Sequence, residues 1–452
     1  MFYIYGSHDR FNAERFCELN YVCWSAPVND LGDWRLEGEI YNKHQDPICT
    51  GDDRLLFAPD VAQGADGRYY LYYAFDFSGV ISVAVCDTPA GKYAFYGHVH
   101  WPDGQLLGQR RGDPFQFDPG VLADDDGRVY LYTGFCMKDA PFSKAEHLCE
   151  DRGAMAVELE QDMLTVKVGP EFIVPCYANS RQTWFEGFEF FEAPSMRKID
   201  GRYYFIYSSM ESHELCYAVS DEPTRGFTGG GTLISNGDIC LNGRGPDEAT
   251  NYTGNNHGSL VKIGDALYVF YHRHTNRCQF SRQGCAERVT MLPDGSIQQA
   301  EMTSCGLNGG LLVGWGVYEA RIACNLMSGR GAVFYSMDRP VGPIHPYFTQ
   351  EDLSGGPPIQ YIANLTNEAV AGFKYFAFDH IDTVVVWLRG EGRGQLIVST
   401  DIDYSDASAV QVAPACDWKK YTVRFERDHV VSPLYFTFQG TGAVDMLKFE
   451  LW

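Results

Sequence analysis

Aromatic and aliphatic residues alternate in five short runs along the first 300 or so residues, each about as long as one β-strand. They are Phe2-Tyr3-Ile4-Tyr5, Tyr69 to Tyr73, Val129 to Tyr132, Tyr203 to Tyr207 and Leu267 to Tyr271. The middle three follow one turn, at Asp66-Gly67-Arg68, Asp126-Gly127-Arg128 and Asp200-Gly201-Arg202, and the fifth follows a looser Gly264-Asp265-Ala266. Asp-Gly ahead of an apolar run is a hairpin signal, because glycine reaches positive φ without steric cost. Before each of the last four runs lies a second short segment with one polar residue. These are Ala58-Pro59-Asp60-Val61, Phe117-Asp118-Pro119-Gly120-Val121, Glu192-Ala193-Pro194-Ser195 and Asn255-Asn256-His257-Gly258-Ser259. Each unit reads as an inner strand bearing a polar residue, a turn, and an aromatic strand, with an irregular period of about sixty to seventy-five residues. Radial repetition of such units is a β-propeller, whose inner strands line a central funnel. Asp60, Asp118, Glu192 and His257 would converge there. A run of hairpins in a sandwich leaves the recurring polar position unexplained.

After about residue 310 the aromatic repeat stops. Shorter alternating strands follow, such as Phe373 to Phe378, Thr383 to Leu388, Gln395 to Thr400 and Pro433 to Phe438. Their spacing suits a β-sandwich of ordinary domain size. The expected architecture is all-β, a propeller over residues 1–310 and a sandwich over residues 311–452.

Composition agrees with this picture. A chain of 452 residues exceeds one comfortable core, and 14% aromatic content with 47 glycines fits many strands and turns. A formal net charge of −23 argues against nucleic acid and against an anionic membrane surface as partners. It leaves room for a neutral ligand such as a sugar. No apolar run is long enough to span a bilayer. The fourteen cysteines form no C-x-x-C pair and read mostly as free thiols of a reducing compartment, with Cys17–Cys23 as a disulfide to consider. Met1 runs directly into a strand with no visible signal peptide, so a cytoplasmic location is expected.

The candidate chemistry sits at the inner positions. Glu192, set among Phe190, Phe191 and Pro194, would be poorly solvated; that raises a carboxyl pKa and keeps a proton available near neutrality, as a general acid needs. Read locally, Glu192 is better taken as a strand-end glutamate facing water, and Asp118 is equally a turn-capping aspartate before proline. His272 and His274 share a face of the fifth aromatic strand without a third ligand and read as structural. Trp387, Trp418, Tyr375 and Phe376 would suit a sugar-stacking platform, though such residues are more often sandwich core.

With these residues in view, the N-terminal part resembles glycoside hydrolase family 43. The matching stretches are Tyr5-Gly-Ser-His-Asp9, Tyr21-Val-Cys-Trp-Ser-Ala-Pro27, Ala58-Pro-Asp60-Val, Asp118-Pro with Asp124 to Gly127, Glu192-Ala-Pro, Asn256-His257-Gly-Ser, and Ser281-Arg282 to Glu287. The resemblance implies a five-bladed β-propeller and an inverting enzyme of the α-L-arabinofuranosidase or β-xylosidase kind. It assigns the general acid to Glu192 and the residue that orients and tunes it to Asp118. Asp9, Asp60 and Arg282 are then expected at the substrate, and His257 beside a hydrated calcium ion, with no organic cofactor. The expected substrates are arabinoxylan or arabinan fragments and oligosaccharides, attacked from the chain end. The family's base, an aspartate on the first inner strand, has no counterpart, because Met1 already stands at the first aromatic strand. That departure keeps a non-catalytic glycan-binding propeller as the alternative. The C-terminal part looks like a family-6 carbohydrate-binding module at Gly372 to Phe376, Gly394-Gln-Leu and Asp445 to Phe449.

Overall fold

The computed structural model describes residues 1–137, 152–210, 213–334, 342–353 and 356–452. All five aromatic runs are strands. The first sheet holds β1 (Phe2–Gly6), β2 (Tyr21–Ala26) and β3 (Arg35–Tyr41). The second holds β4 (Asp60–Gln63), β5 (Tyr69–Ala74), β6 (Ile81–Cys86) and β7 (Ala94–His98). The third holds β8 (Gly120–Ala123), β9 (Val129–Thr133), β10 (Gly153–Leu159) and β11 (Val166–Pro175). The fourth holds β12 (Phe190–Ile199), β13 (Arg202–Ser209), β14 (Leu215–Ser220) and β15 (Thr228–Ile234). The fifth holds β16 (Ser259–Ile263), β17 (Ala266–His274), β18 (Arg282–Met291) and β19 (Ile297–Gln298). Each is an open antiparallel meander, and in the last four the aromatic strand lies second, beside the inner strand. These are the five blades of a β-propeller.

Successive residues of an aromatic strand serve different neighbours, because side chains alternate across a strand. Leu71 and Tyr73 pack with Tyr21 and Tyr41 of the first blade, whereas Tyr70 and Tyr72 pack with Leu131 and Val157 of the third. Tyr130 and Tyr132 turn the other way, towards Phe190 and Phe205 of the fourth blade. Both faces of β5, β9 and β13 are therefore buried. That is why these strands read as nearly unbroken aromatic runs. Buried tyrosine hydroxyls keep partners: Tyr72 donates to the Met163 carbonyl at 2.6 Å and Tyr73 to Asp46 at 2.8 Å.

The C-terminal region is a β-sandwich. Its strands are β20 (Leu312–Val313), β21 (Gly316–Glu319), β22 (Asn325–Met327), β23 (Tyr347–Glu351), β24 (Ile359–Leu365), β25 (Ala369–Phe378), β26 (Ile381–Gly390), β27 (Arg393–Ser399), β28 (Ser408–Val412), β29 (Ala415–Arg427), β30 (Val430–Thr441) and β31 (Val444–Leu451). One sheet runs β20-β25-β30-β27-β28 with β22 on β25, and the other β23-β24-β31-β26-β29 with β21 on β31. Phe373, Phe376, Phe436 and Phe449 lie in the core between them.

By compactness the chain forms one unit of Met1–Ile234, Asn255–His272 and Val289–Gln299, and a second of Ser235–Gly254, Arg273–Arg288 and Ala300–Trp452. The excursion Ser235–Gly254 belongs with the second because Tyr252 is part of the sandwich core. Cys17 and Cys23 are buried and not joined in a disulfide. Among the described residues no helix is long and apolar enough to cross a membrane.

Candidate active site

Asp118 and Glu192 are carried by adjoining inner strands of the first unit. A Cβ on Gly120 would fall 2.6 Å from the Pro194 carbonyl oxygen and 3.1 Å from Ser195 Cα, so only glycine allows this approach. Asp118 is buried and sits at φ 46°, and Ala193, directly after Glu192, at φ 65°. Such conformations cost a non-glycine residue about 1–3 kcal/mol each and persist only where the surroundings impose them. The register of β12 against β13 slips on both sides of Glu192, between Phe190 and Glu192 and between Glu192 and Ser195. A bulge of this kind re-aims one side chain out of the ladder.

One three-residue segment after β9 ties both carboxylates in place. The Gly134 amide donates to the Phe117 carbonyl at 3.0 Å, and the Cys136 amide to the Phe191 carbonyl at 2.8 Å. Between these bonds, the Phe135 ring stands 5.4 Å from the ring of Phe117 and 5.4 Å from that of Phe191. The residue preceding each carboxylate is thus held by backbone and by ring to the same spacer. Thr133 completes the tie, donating its hydroxyl to the Phe117 carbonyl at 2.7 Å and accepting the Phe117 amide at 2.8 Å. Phe191 meets the His213 ring at 4.6 Å, and burial pushes that imidazole down to about 4, so it is neutral at pH 7.

His257, from the fifth inner segment, comes to the same place, its Nδ1 3.7 Å from Asp118 Oδ2. Asp60 has a different environment. Its carboxylate takes Arg197 Nη2 at 3.2 Å and Nη1 at 3.3 Å, the Val121 amide at 3.0 Å and its own strand's Val61 amide at 2.9 Å. It ties the second, third and fourth inner strands together. Asp9 accepts the Cys17 amide at 2.9 Å, which closes the loop after β1. Arg282 opens β18, half-buried, in the second compact unit. Sequence reasoning did not single out Phe135 or Arg197; the only local signal for Phe135 is Gly-Phe-Cys directly after an aromatic strand.

The four sandwich aromatics do not form an open platform. Phe376 is fully buried, and the Tyr375 hydroxyl donates to Glu301 at 2.9 Å. Lys420 and Lys448 lie 5.0 and 4.8 Å from the Trp387 ring centre, and Arg389 lies 4.2 Å from that of Trp418. These cations occupy the faces a sugar would need.

A sequence model described as glycosyl hydrolases family 43 matches residues 1–297. The chain belongs to this family. It is 49% identical to a xylosidase/arabinosidase of Thermoclostridium stercorarium, over 99% of this chain and 93% of that protein. It is 28% identical to xylosidase/arabinosidase 43A of Humicola insolens, over 60% of this chain and 83% of that one. Among solved structures it is similar to a family-43 β-xylosidase/α-arabinofuranosidase from a compost microbial metagenome, determined with xylotriose in a calcium-free form. That match has a TM-score of 0.50 and 25% identity over 66% of this chain and 90% of the other. As a member of the family, the chain is a glycoside hydrolase.

Proposed function

We propose that this hydrolase is an exo-acting, inverting enzyme that removes terminal α-L-arabinofuranosyl or β-xylosyl residues from arabinoxylan or arabinan fragments. The observation that carries the reading is the pair of inner-strand carboxylates, Asp118 and Glu192, held by one spacer. The 49% identity to a xylosidase/arabinosidase supports the same substrate class. Glu192 protonates the leaving glycosidic oxygen. Asp118, just before the adjoining strand β8, would as a carboxylate disfavour a second negative charge nearby and so keep the proton on Glu192 until it is used. Water attacks the anomeric carbon from the opposite face, which in an inverting site requires a base about 6.5–9.5 Å from the acid. No residue is assigned as that base. Asp60 is a poor candidate because its oxygens already serve Arg197 and two backbone amides.

The resemblance's calcium ion finds one imidazole and one carboxylate at His257 and Asp118. Calcium takes six to eight oxygen ligands, so a hydrated ion held beside His257 would draw its oxygens from water and from Asp118. The catalytic domain is proposed to span residues 1–310, with the sandwich of residues 311–452 as its companion.

Sugar release from aryl α-L-arabinofuranoside and aryl β-xyloside by the purified chain tests the reading, with Glu192→Gln as the control. Turnover abolished by that substitution supports it. Sugar binding by the wild type without any turnover overturns it.

A further inference from the structure

At one end of the sandwich, two short corners carry the same dipeptide. Phe378-Asp379-His380-Ile381 leads from β25 in one sheet to β26 in the other, and Arg427-Asp428-His429-Val430 leads from β29 back to β30. The strand registers bring these corners together. Phe378 pairs with Val430 in the first sheet, and Ile381 pairs with Arg427 in the second. The two Asp-His dipeptides between those pairs must therefore lie side by side. Both histidines take positive φ, 53° at His380 and 48° at His429, within these tight corners.

The result is a compact set of four donors. His380 Nδ1 lies 2.8 Å from Asp428 Oδ1, and His429 Nδ1 lies 3.1 Å from Asp379 Oδ1. The cross distances are 3.7 Å from His380 Nε2 to Asp379 and 3.5 Å from His429 Nε2 to Asp428. The imidazole rings meet at 4.7 Å. One ligand atom from each residue lies within 4.8 Å of all the others. Metal–ligand bonds of about 2.0–2.2 Å in a tetrahedron place donors roughly 3.3 Å apart, so the observed spacing needs only side-chain adjustment. All four residues are exposed, and an open cavity of ≈ 330 Å³ lined by His380, Ile381, Asp382, Glu426, Arg427 and Asp428 gives access.

We propose that this cluster is a structural site for a borderline-soft divalent cation, zinc above all. Two neutral imidazoles and two carboxylates suit zinc, cobalt(II) or nickel(II) and not calcium or magnesium, which want oxygen alone. Four protein ligands make a closed structural site with no open catalytic position. The ion would staple two crossings between the sheets, residues 379–380 and 428–429, which lie far apart in sequence.

The test is equilibrium dialysis of the full 452-residue chain against zinc after chelator treatment, followed by melting with and without the metal. One retained equivalent is expected, together with the intense visible absorption of tetrahedral cobalt(II) on substitution. His380→Ala/His429→Ala should abolish retention. Asp379→Asn/Asp428→Asn should weaken it at least by the roughly 10–100-fold that loss of an outer-shell partner costs. His257→Ala, in the funnel, should leave it unchanged. Zinc should raise the melting temperature of the wild type and not that of the double-histidine variant, since an ion that binds only the folded state stabilises it. Absence of retained zinc overturns the proposal, as does equal retention by the wild type and the double-histidine variant.

Discussion

Glu287→Gln should make the protein more stable at pH 8 and leave it unchanged at pH 4. Glu287 lies on β18 and is buried; its Oε1 accepts the Thr303 amide at 2.6 Å and its Oε2 stands 2.7 Å from the Thr303 hydroxyl. Burial, with Asp238 and Glu301 adding negative charge, pushes its carboxyl from an ordinary 4.5 up to about 8. Between those two values the folded chain holds a proton that the unfolded chain has released. Stability therefore falls as pH rises through the window and is fully retained only below it. At about 1.4 kcal/mol per pH unit, the loss reaches up to about 5 kcal/mol by pH 8. Glutamine copies the shape and hydrogen bonds of the protonated acid and does not titrate. Thermal melts of wild type and variant at half-unit steps from pH 4 to 8 should coincide at the acidic end and separate towards pH 8. Each kcal/mol is worth about 2–4 °C in a domain of 150–250 residues. A melting difference independent of pH, or a variant less stable at pH 8, would refute the reasoning, because Glu287 would then be ionised in the folded protein.

Five other outcomes follow from the site. Glu192→Gln should lower kcat by about 10²–10⁴-fold without changing the melt, while Asp118→Asn should also move the alkaline limb of the pH–rate profile downwards, since the charge that holds the proton on Glu192 is gone. Gly120→Ala puts a Cβ 2.6 Å from the Pro194 carbonyl oxygen; the strands must part, so kcat and stability should fall together in parallel assays. Phe135→Ala removes a half-buried ring between Phe117 and Phe191 and should cost about 2–3 kcal/mol in urea unfolding, below the 3–5 of a fully buried phenylalanine, with a fall in kcat larger than any change in KM. Arg197→Met leaves the Asp60 carboxylate with backbone amides alone and should cost about 1–3 kcal/mol by the same measurement.

The aromatic strands were legible because both of their faces are buried, so burial leaves its mark on nearly every residue. The polar inner positions were legible because they recur at one place in each unit. What the chain order could not show is which distant residue each polar group meets. Arg197 reaches Asp60 across 137 positions, and nothing near either one announces the other. Phe135 serves two carboxylates on different blades yet reads locally as a strand-end aromatic. The two Asp-His corners are identical dipeptides in plain view, but only the paired registers of β25 with β30 and β26 with β29 make them neighbours.

The same limit explains why inner carboxylates in equivalent positions have different fates. Asp60 and Asp118 each precede an aromatic strand by a short turn, and local sequence treats them alike. In the folded chain Asp60 meets a guanidinium, with both oxygens engaged, and becomes a tie between strands. Asp118 meets an imidazole 3.7 Å away, on a strained backbone beside the strand of Glu192. A guanidinium is always charged and fixes its partner as a carboxylate, and its planar fork engages both oxygens of Asp60 at once. The partners delivered by the fourth and fifth blades, more than the carboxylates themselves, set the two positions apart: Asp60 ties three inner strands together, and Asp118 stands beside the strand of Glu192.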